Sequence, residues 1–192
     1  MTKMKKMLLV VDPQIDFITG TLPVPDAEKQ MDELAQYIAG QDGTYVLKVI
    51  TTDWHPYDHH SFVSKGGKWP IHCVRNTIGA AIYPALIEPL YTTKGAVKVL
   101  RKGVFRDREE YSIFHNLSSA ECLKGIIDMA GIGQIDICGI AGDICVLNTL
   151  KDGIEIFGKE IFNVLLPYCP SLDGGVALQT FVDNLTRDSR HG

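Results

Sequence analysis

Residues 135–153 read IDICGIAGDICVLNTLKDG. The run 135–140 has the apolar, β-branched character of a buried strand. The glycine-containing turn AGD follows it, and a helix is expected from about residue 144 to 153. A strand that passes directly into a helix is half of a crossover unit, the connection that parallel neighbours in a sheet require. The same order repeats on both sides. Toward the N-terminus, KMLLVV (6–11) reads as a buried strand, and 27–38, with Met31, Leu34, Ala35 and Ile38 at helical spacing, as the helix after it. TYVLKVI (44–50) is a second strand, 80–89 a short helix, 97–100 a third strand, and 119–129 a helix capped by Ser118 or Ser119. Beyond the opening stretch, 160–165 makes a fifth strand and 175–185 a closing helix. The fold class this predicts is α/β, a three-layer α/β/α sandwich whose central sheet is mainly parallel and covered on both faces.

The chain has 192 residues, of which 45% are hydrophobic, enough for a single domain over 1–192 with a genuine core. Its net charge of −4 and its dispersed lysines argue against a nucleic-acid partner, because phosphate binding needs clustered basic residues. A small-molecule partner fits better. The N-terminal MTKMKKMLLVVDP places basic residues before an apolar run, but 7–11 is too short for a signal segment or a membrane span. No membrane association and a cytoplasmic location are the expectations. Five cysteines, an odd number without a CxxC pair, suit neither a disulfide framework nor a zinc knuckle.

In a parallel sheet ligands sit beyond the carboxyl ends of the strands, so functional side chains should follow strands directly. Asp12 follows the first, Asp53 and His55 the second, Lys102 the third and Cys145 the fourth. A buried cysteine is ordinarily a small hydrophobe, and Cys73, Cys122, Cys138 and Cys169 are read that way. Cys145 differs because its sulfur falls near a helix N-terminus, where unpaired N–H groups favour a thiolate and can hold an oxyanion. It is the candidate nucleophile. Asp12 is the candidate proton acceptor, provided that the first and fourth strands end side by side. Lys102 would then keep Asp12 ionised and lower the thiol pKa.

The stretch 53–72 holds four of the six histidines and both tryptophans. Asp53 and His55 are two apart in an extended segment and so share a face, with Trp54 turned aside. With His72 from a later loop they form a candidate three-ligand divalent site, its mixed nitrogen and oxygen donors compatible with zinc, iron or manganese. His59 and His60 are spare candidates.

Taken together, VVDPQIDF, DWHP followed by SF, WPIHCV, RKG and GIAGDICV, in this order over residues 10–146, resemble the nicotinamidase branch of the isochorismatase-like cysteine hydrolases. The resemblance implies a triad of Asp12, Lys102 and Cys145. It implies one divalent ion, zinc foremost, on Asp53, His55 and His72, with the pyridine nitrogen of nicotinamide displacing a water from it. It implies aromatic walls from Phe17 and Trp69. A non-proline cis peptide between Ile140 and Ala141 and an oxyanion site at the N–H groups of Ala141 and Cys145 are implied as well. The expected reaction is hydrolysis of nicotinamide through a cysteine thioester, in NAD salvage, with a homo-oligomer as the expected assembly. Three features depart from the pattern: Gly142 where relatives often carry threonine, the charged stretch VFRDREE over 104–110, and paired histidines at 59 and 60. Another amide hydrolase acting on a ureido or carbamoyl substrate is the alternative, as is a non-catalytic ligand-binding relative. The DWH and PIHC segments weigh against the first and the intact Asp, Lys and Cys against the second.

Overall fold

The computed structural model describes residues 4–188. Five parallel strands form one sheet in the order β3-β2-β1-β4-β5: β1 Lys5–Val11, β2 Tyr45–Asp53, β3 Ala96–Lys102, β4 Ile132–Gly139 and β5 Phe162–Val164. Helices α1 Ile15–Ile18, α2 Ala27–Gly40, α3 Pro84–Thr92, α4 Leu117–Ala130, α5 Leu147–Phe157 and α6 Val176–Asp188 connect or follow them. Crossovers between parallel strands are right-handed, and strand order therefore assigns the helices to faces. The chain steps from β1 outward to β2 and β3, which carries α2 and α3 over one face. It then returns past β1 to β4 and β5, which carries α4 and α5 over the other.

That reversal makes the junction of β1 and β4 the switch point of the sheet, where the first connections diverge and a crevice opens at the strand ends. Residues 7–11 of β1 are almost wholly without solvent exposure, as a central strand covered on both faces must be. At the end of β4 the two backbones approach so closely that a Cβ on Gly139 would lie 2.0 Å from the Val11 carbonyl oxygen. Gly139 also has φ +122°, so both space and conformation require glycine there.

Element boundaries differ from the sequence expectation at several places: β4 runs over 132–139 rather than 135–140, and the helix expected from about residue 144 begins at Leu147, after the turn Gly142–Val146. Helix α3 starts at Pro84 rather than residue 80, because 78–80 forms a 3-10 turn and the proline takes the first helical turn, where its missing N–H costs nothing. Helix α4 starts earlier and is capped by Asn116, whose side-chain oxygen accepts from the Ser119 N–H at 3.1 Å, not by Ser118 or Ser119. Strand β5 starts at Phe162, since 159–161 is a 3-10 turn. No helix among the described residues is long and apolar enough to cross a membrane.

Candidate active site

Asp12, Asp53 and Lys102 stand at the carboxyl ends of the three strands β1, β2 and β3, and Cys145 lies in the turn Gly142–Val146 between β4 and α5. The sheet therefore brings them together across 133 residues of chain with little help from long loops. Lys102, fully buried, places its ammonium 2.8 Å from Asp12 Oδ2, 2.6 Å from Asp53 Oδ1 and 3.6 Å from Cys145 Sγ. Asp12 is equally buried, has φ +46°, and takes a hydrogen bond from the Thr51 hydroxyl at 2.7 Å. Ligating atoms of Asp12, Asp53 and Cys145 all lie within 4.8 Å of one another.

Burial dominates the titration of this group. It raises the Asp12 carboxyl above its ordinary value although Lys102 pulls the other way. The Cys145 thiol is pushed well above its ordinary value by burial, which outweighs Lys102, and Asp12 and Asp53 add to the rise. Lys102 does pull the thiol pKa down, as expected, but it does not prevail: the sulfur is dry and two carboxylates already share the lysine's charge. For Lys102 itself the balance is reversed, because Asp12 and Asp53 overcome burial and hold the ammonium charged.

Asp53, His55 and His72 offer ligating atoms within 4.8 Å of one another, all buried. The His55 Nδ1 meets the Gly103 carbonyl oxygen at 3.0 Å, and the His72 Nδ1 meets the Pro70 carbonyl oxygen at 2.8 Å. A carbonyl can only accept, so both Nδ1 atoms carry the proton and both Nε2 atoms keep a free lone pair. The His55 Nε2 lies 3.5 Å from Asp53 Oδ2, the carboxylate oxygen that does not receive Lys102. One carboxylate oxygen and two lone pairs converging on one point, each imidazole held from behind by a backbone carbonyl, fit a divalent ion. Gly103 makes room for the His55 ring: with φ +65°, a Cβ there would lie 2.4 Å from it. His72 reaches this point because the segment after it is bonded alongside His55. The His55 N–H donates to the Cys73 carbonyl at 3.0 Å and the Arg75 N–H to the His55 carbonyl at 2.9 Å.

His59 and His60 part company. The His59 Nε2 donates to the Arg108 carbonyl at 2.9 Å and its Nδ1 faces the Ser61 hydroxyl at 2.7 Å, so both nitrogens are engaged. The ring stacks on His55 with centroids 4.2 Å apart, and burial, then His55, push its pKa down to about 4. His60 is exposed.

A narrow cleft opens beside these groups and is bordered by Phe17, Trp69, Tyr111, Ala141, Cys145, Asp53 and His72. The Trp69 Nε1–H donates to the Tyr111 hydroxyl at 3.2 Å, joining two aromatic walls into one. The Ile140–Ala141 peptide is cis. In the following turn the Ile144 and Val146 N–H groups both close on the Ala141 carbonyl and the Gly142 N–H on Pro170, while Ala141 and Cys145 border the cleft. The 169–171 segment packs closely on Gly142, where a Cβ would lie 2.6 Å from the Cys169 carbonyl oxygen, so a side chain here would require that segment to stand further off. A broader groove elsewhere, between Pro25, Gln30, Pro167 and Val176, is bordered by none of the expected residues.

Sequence reasoning missed the supports. Gln14, fully buried, accepts from the Asp53 N–H at 2.7 Å and donates to the Asp53 carbonyl at 2.8 Å, clamping that residue's backbone. Asp16 accepts from the Cys73 N–H at 2.7 Å and so fixes the turn that carries His72. The available signal was three polar residues, at 12, 14 and 16, in a stretch otherwise apolar.

The model of the isochorismatase domain matches residues 6–162 of the chain. The chain is 33% identical to the nicotinamidase of Acinetobacter baylyi over 191 residues, 90% of this chain and 84% of that one. It is 32% identical to a pyrazinamidase of Pyrococcus horikoshii solved in complex with zinc, with a TM-score of 0.75 over 93% of this chain and 95% of the other. It is 30% identical to the PnC1 protein of L. infantum solved in complex with nicotinate, with a TM-score of 0.79 over 95% and 89% of the two chains.

Proposed function

The chain belongs to the isochorismatase family, and from its geometry and its nicotinamidase relatives we propose that it hydrolyses nicotinamide to nicotinate and ammonia, the amidase step of NAD salvage. The observation that carries the reading is a cleft bordered at once by a buried cysteine, by two members of a three-ligand cation site and by aromatic walls. A flat ring with a nitrogen at one side and a carboxamide at the other matches that layout. Zinc is the proposed ion, on Asp53, His55 and His72, after the zinc-bound pyrazinamidase that the chain resembles. When bound, it would supply a Lewis-acidic point that takes the pyridine nitrogen and orients the ring.

The remaining chemistry belongs to the side chains. Phe17 and the Trp69–Tyr111 pair hold the ring faces and exclude water. Asp12 takes the thiol proton as the Cys145 sulfur attacks the amide carbon. This transfer creates no new charge: one negative charge moves from carboxylate to sulfur, and Lys102 contacts both positions, at 2.8 and 3.6 Å. Because burial raises both pKa values, it penalises the charge at either end and leaves the two groups able to exchange a proton. The N–H groups of Ala141 and Cys145 are assigned to the oxygen that becomes negative. Asp12 then returns its proton to the departing ammonia and deprotonates the water that cleaves the thioester.

Ammonia release from nicotinamide by the purified protein, measured with and without prior chelation and beside a metal analysis, tests the reading. Release above 1 per second that chelation suppresses is the expected result, given the ordinary range of enzyme turnover of about 1–10³ per second. No release from a folded, zinc-loaded sample would reject nicotinamide and direct the search to ureido and carbamoyl amides.

A further inference from the structure

Glu109 borders the cleft together with Asp53, His72 and Cys145. It comes from the charged stretch after Lys102, and one of its oxygens lies within 4.8 Å of a ring nitrogen of both His59 and His60. It is half-buried, and its Oε1 receives the Glu110 N–H at 3.3 Å. The arginines of the same loop are directed elsewhere. Arg106 pairs with Asp58 at 3.3 Å, and Arg108 lies over the Phe105 ring at 4.9 Å. The loop is anchored independently by its neighbour Glu110, which is fully buried and accepts from the Gly103 N–H at 2.7 Å and from the Asn116 amide at 3.1 Å. Among the described residues Glu109 therefore faces the cleft with no salt bridge of its own, on a loop that does not need it for closure. Burial and then Asp53 push its carboxyl above the ordinary value, while His55 and Lys102 pull the other way.

We propose that Glu109 discriminates by charge, setting a negative charge at the cleft so that the uncharged amide is kept and the anionic acid product is released. Glu109 adds one negative charge at the cleft itself, opposing the charge that Lys102 and a divalent ion on the Asp53–His55–His72 set would bring. Without Glu109 the loaded pocket is one charge more positive and retains a carboxylate more strongly. The reaction turns a neutral ligand into an anion without changing its ring, so shape cannot separate substrate from product and charge can. At an effective dielectric of about 20, a unit charge about 12 Å away is worth about a factor of ten in affinity.

This inference rests on the nicotinamidase reading, and its test separates the two. Nicotinamide and nicotinate binding are measured by calorimetry on zinc-loaded protein in a Cys145→Ala background, which prevents turnover, with Glu109 intact, Glu109→Gln or Glu109→Asp. Zinc content is measured in each sample. Glu109→Gln should bind nicotinate about tenfold more tightly while nicotinamide shifts by less than about twofold, and Glu109→Asp should keep the original ratio. Equal shifts for both ligands, unchanged or weaker nicotinate binding, or loss of zinc from Glu109→Gln would each overturn the assignment while leaving the reading intact. Failure of both ligands to bind when Glu109 is intact would instead remove the reading on which it rests.

Discussion

At the scale of single residues, the centre is organised by one lysine serving two carboxylates. Lys102 lies within 2.8 Å of both Asp12 and Asp53, so the proton-transfer group and the cation-holding group draw on the same buried charge. Asp53 receives the larger share: Lys102 and then His55 overcome its burial and hold it far below the usual carboxylate range. Asp12 stays above that range. Its role as proton acceptor requires the ionised form, whose fraction grows as pH rises through the raised pKa. On acidification, kcat/KM should therefore begin to fall at a higher pH than an ordinary carboxylate would dictate. A profile measured with zinc held saturating should show an acid limb above about pH 4, and activity that stays level down to that pH would remove Asp12 from the proton transfer. Asp12→Asn should lower kcat by about 10²–10⁴, the usual scale for losing a general base.

At the scale of elements, function depends on where strands stop. Asp53 and Lys102 are paired residues at the ends of β2 and β3, and the pairing itself sets their side chains next to each other. The parallel sheet and the gathering of polar groups at its carboxyl edge were legible in the sequence, because apolar runs alternate with amphipathic stretches. Strands β2 and β3, expected to stop at 50 and 100, instead run on to Asp53 and Lys102. What was not legible lies between elements. Asn116 as a helix cap, the 3-10 turns at 78–80 and 159–161, and the clamps from Gln14 and Asp16 all depend on contacts between distant segments, which periodicity does not encode. His59 illustrates the same limit: composition offered it as a ligand, but its two hydrogen bonds make it a packing surface for His55. Gly103, at the exit of β3, carries the sharpest test. An added methyl group would face a backbone φ of +65° and a His55 ring at 2.4 Å, and neither can be relieved without turning the imidazole off the Gly103 carbonyl. Gly103→Ala should weaken zinc binding at least about tenfold, as lost support of a metal ligand does, while the fold persists. Competition with a chromophoric chelator reads this directly, and wild-type affinity in the variant would show that the His55 ring is not held as described.

At the scale of the molecule, the site joins parts of unequal robustness. Its floor is the sheet, with β1 and β4 paired over seven positions and buried on both sides. Its roof is the excursion from 54 to 75, closed on itself by isolated bridges at His55–Val74 and Phe62–Trp69 and tied to the rest by the Trp54 N–H on the Lys102 carbonyl at 2.9 Å and by the Asp16 clamp on Cys73. A cation on Asp53, His55 and His72 would fasten the end of β2 to the far end of that excursion, while nothing in the sheet would depend on it. Local opening follows local contacts, and a ligand that binds only the closed form stabilises the segments it joins. Chelation should therefore raise amide hydrogen exchange across 54–75 and in the 103–110 loop that packs on His59 and His60, by about tenfold or more for a tightly held ion, with 5–11 and 132–139 unchanged. Peptide-resolved exchange on zinc-loaded and chelated protein checks it. Faster exchange spread evenly over the sheet would mean that the ion supports the global fold, and no change anywhere would mean that the three ligands are already fixed by the protein alone. The expected pattern assigns order in the roof to the bound ion, so that loading the site also shapes the aromatic wall at Trp69 against which the substrate ring rests.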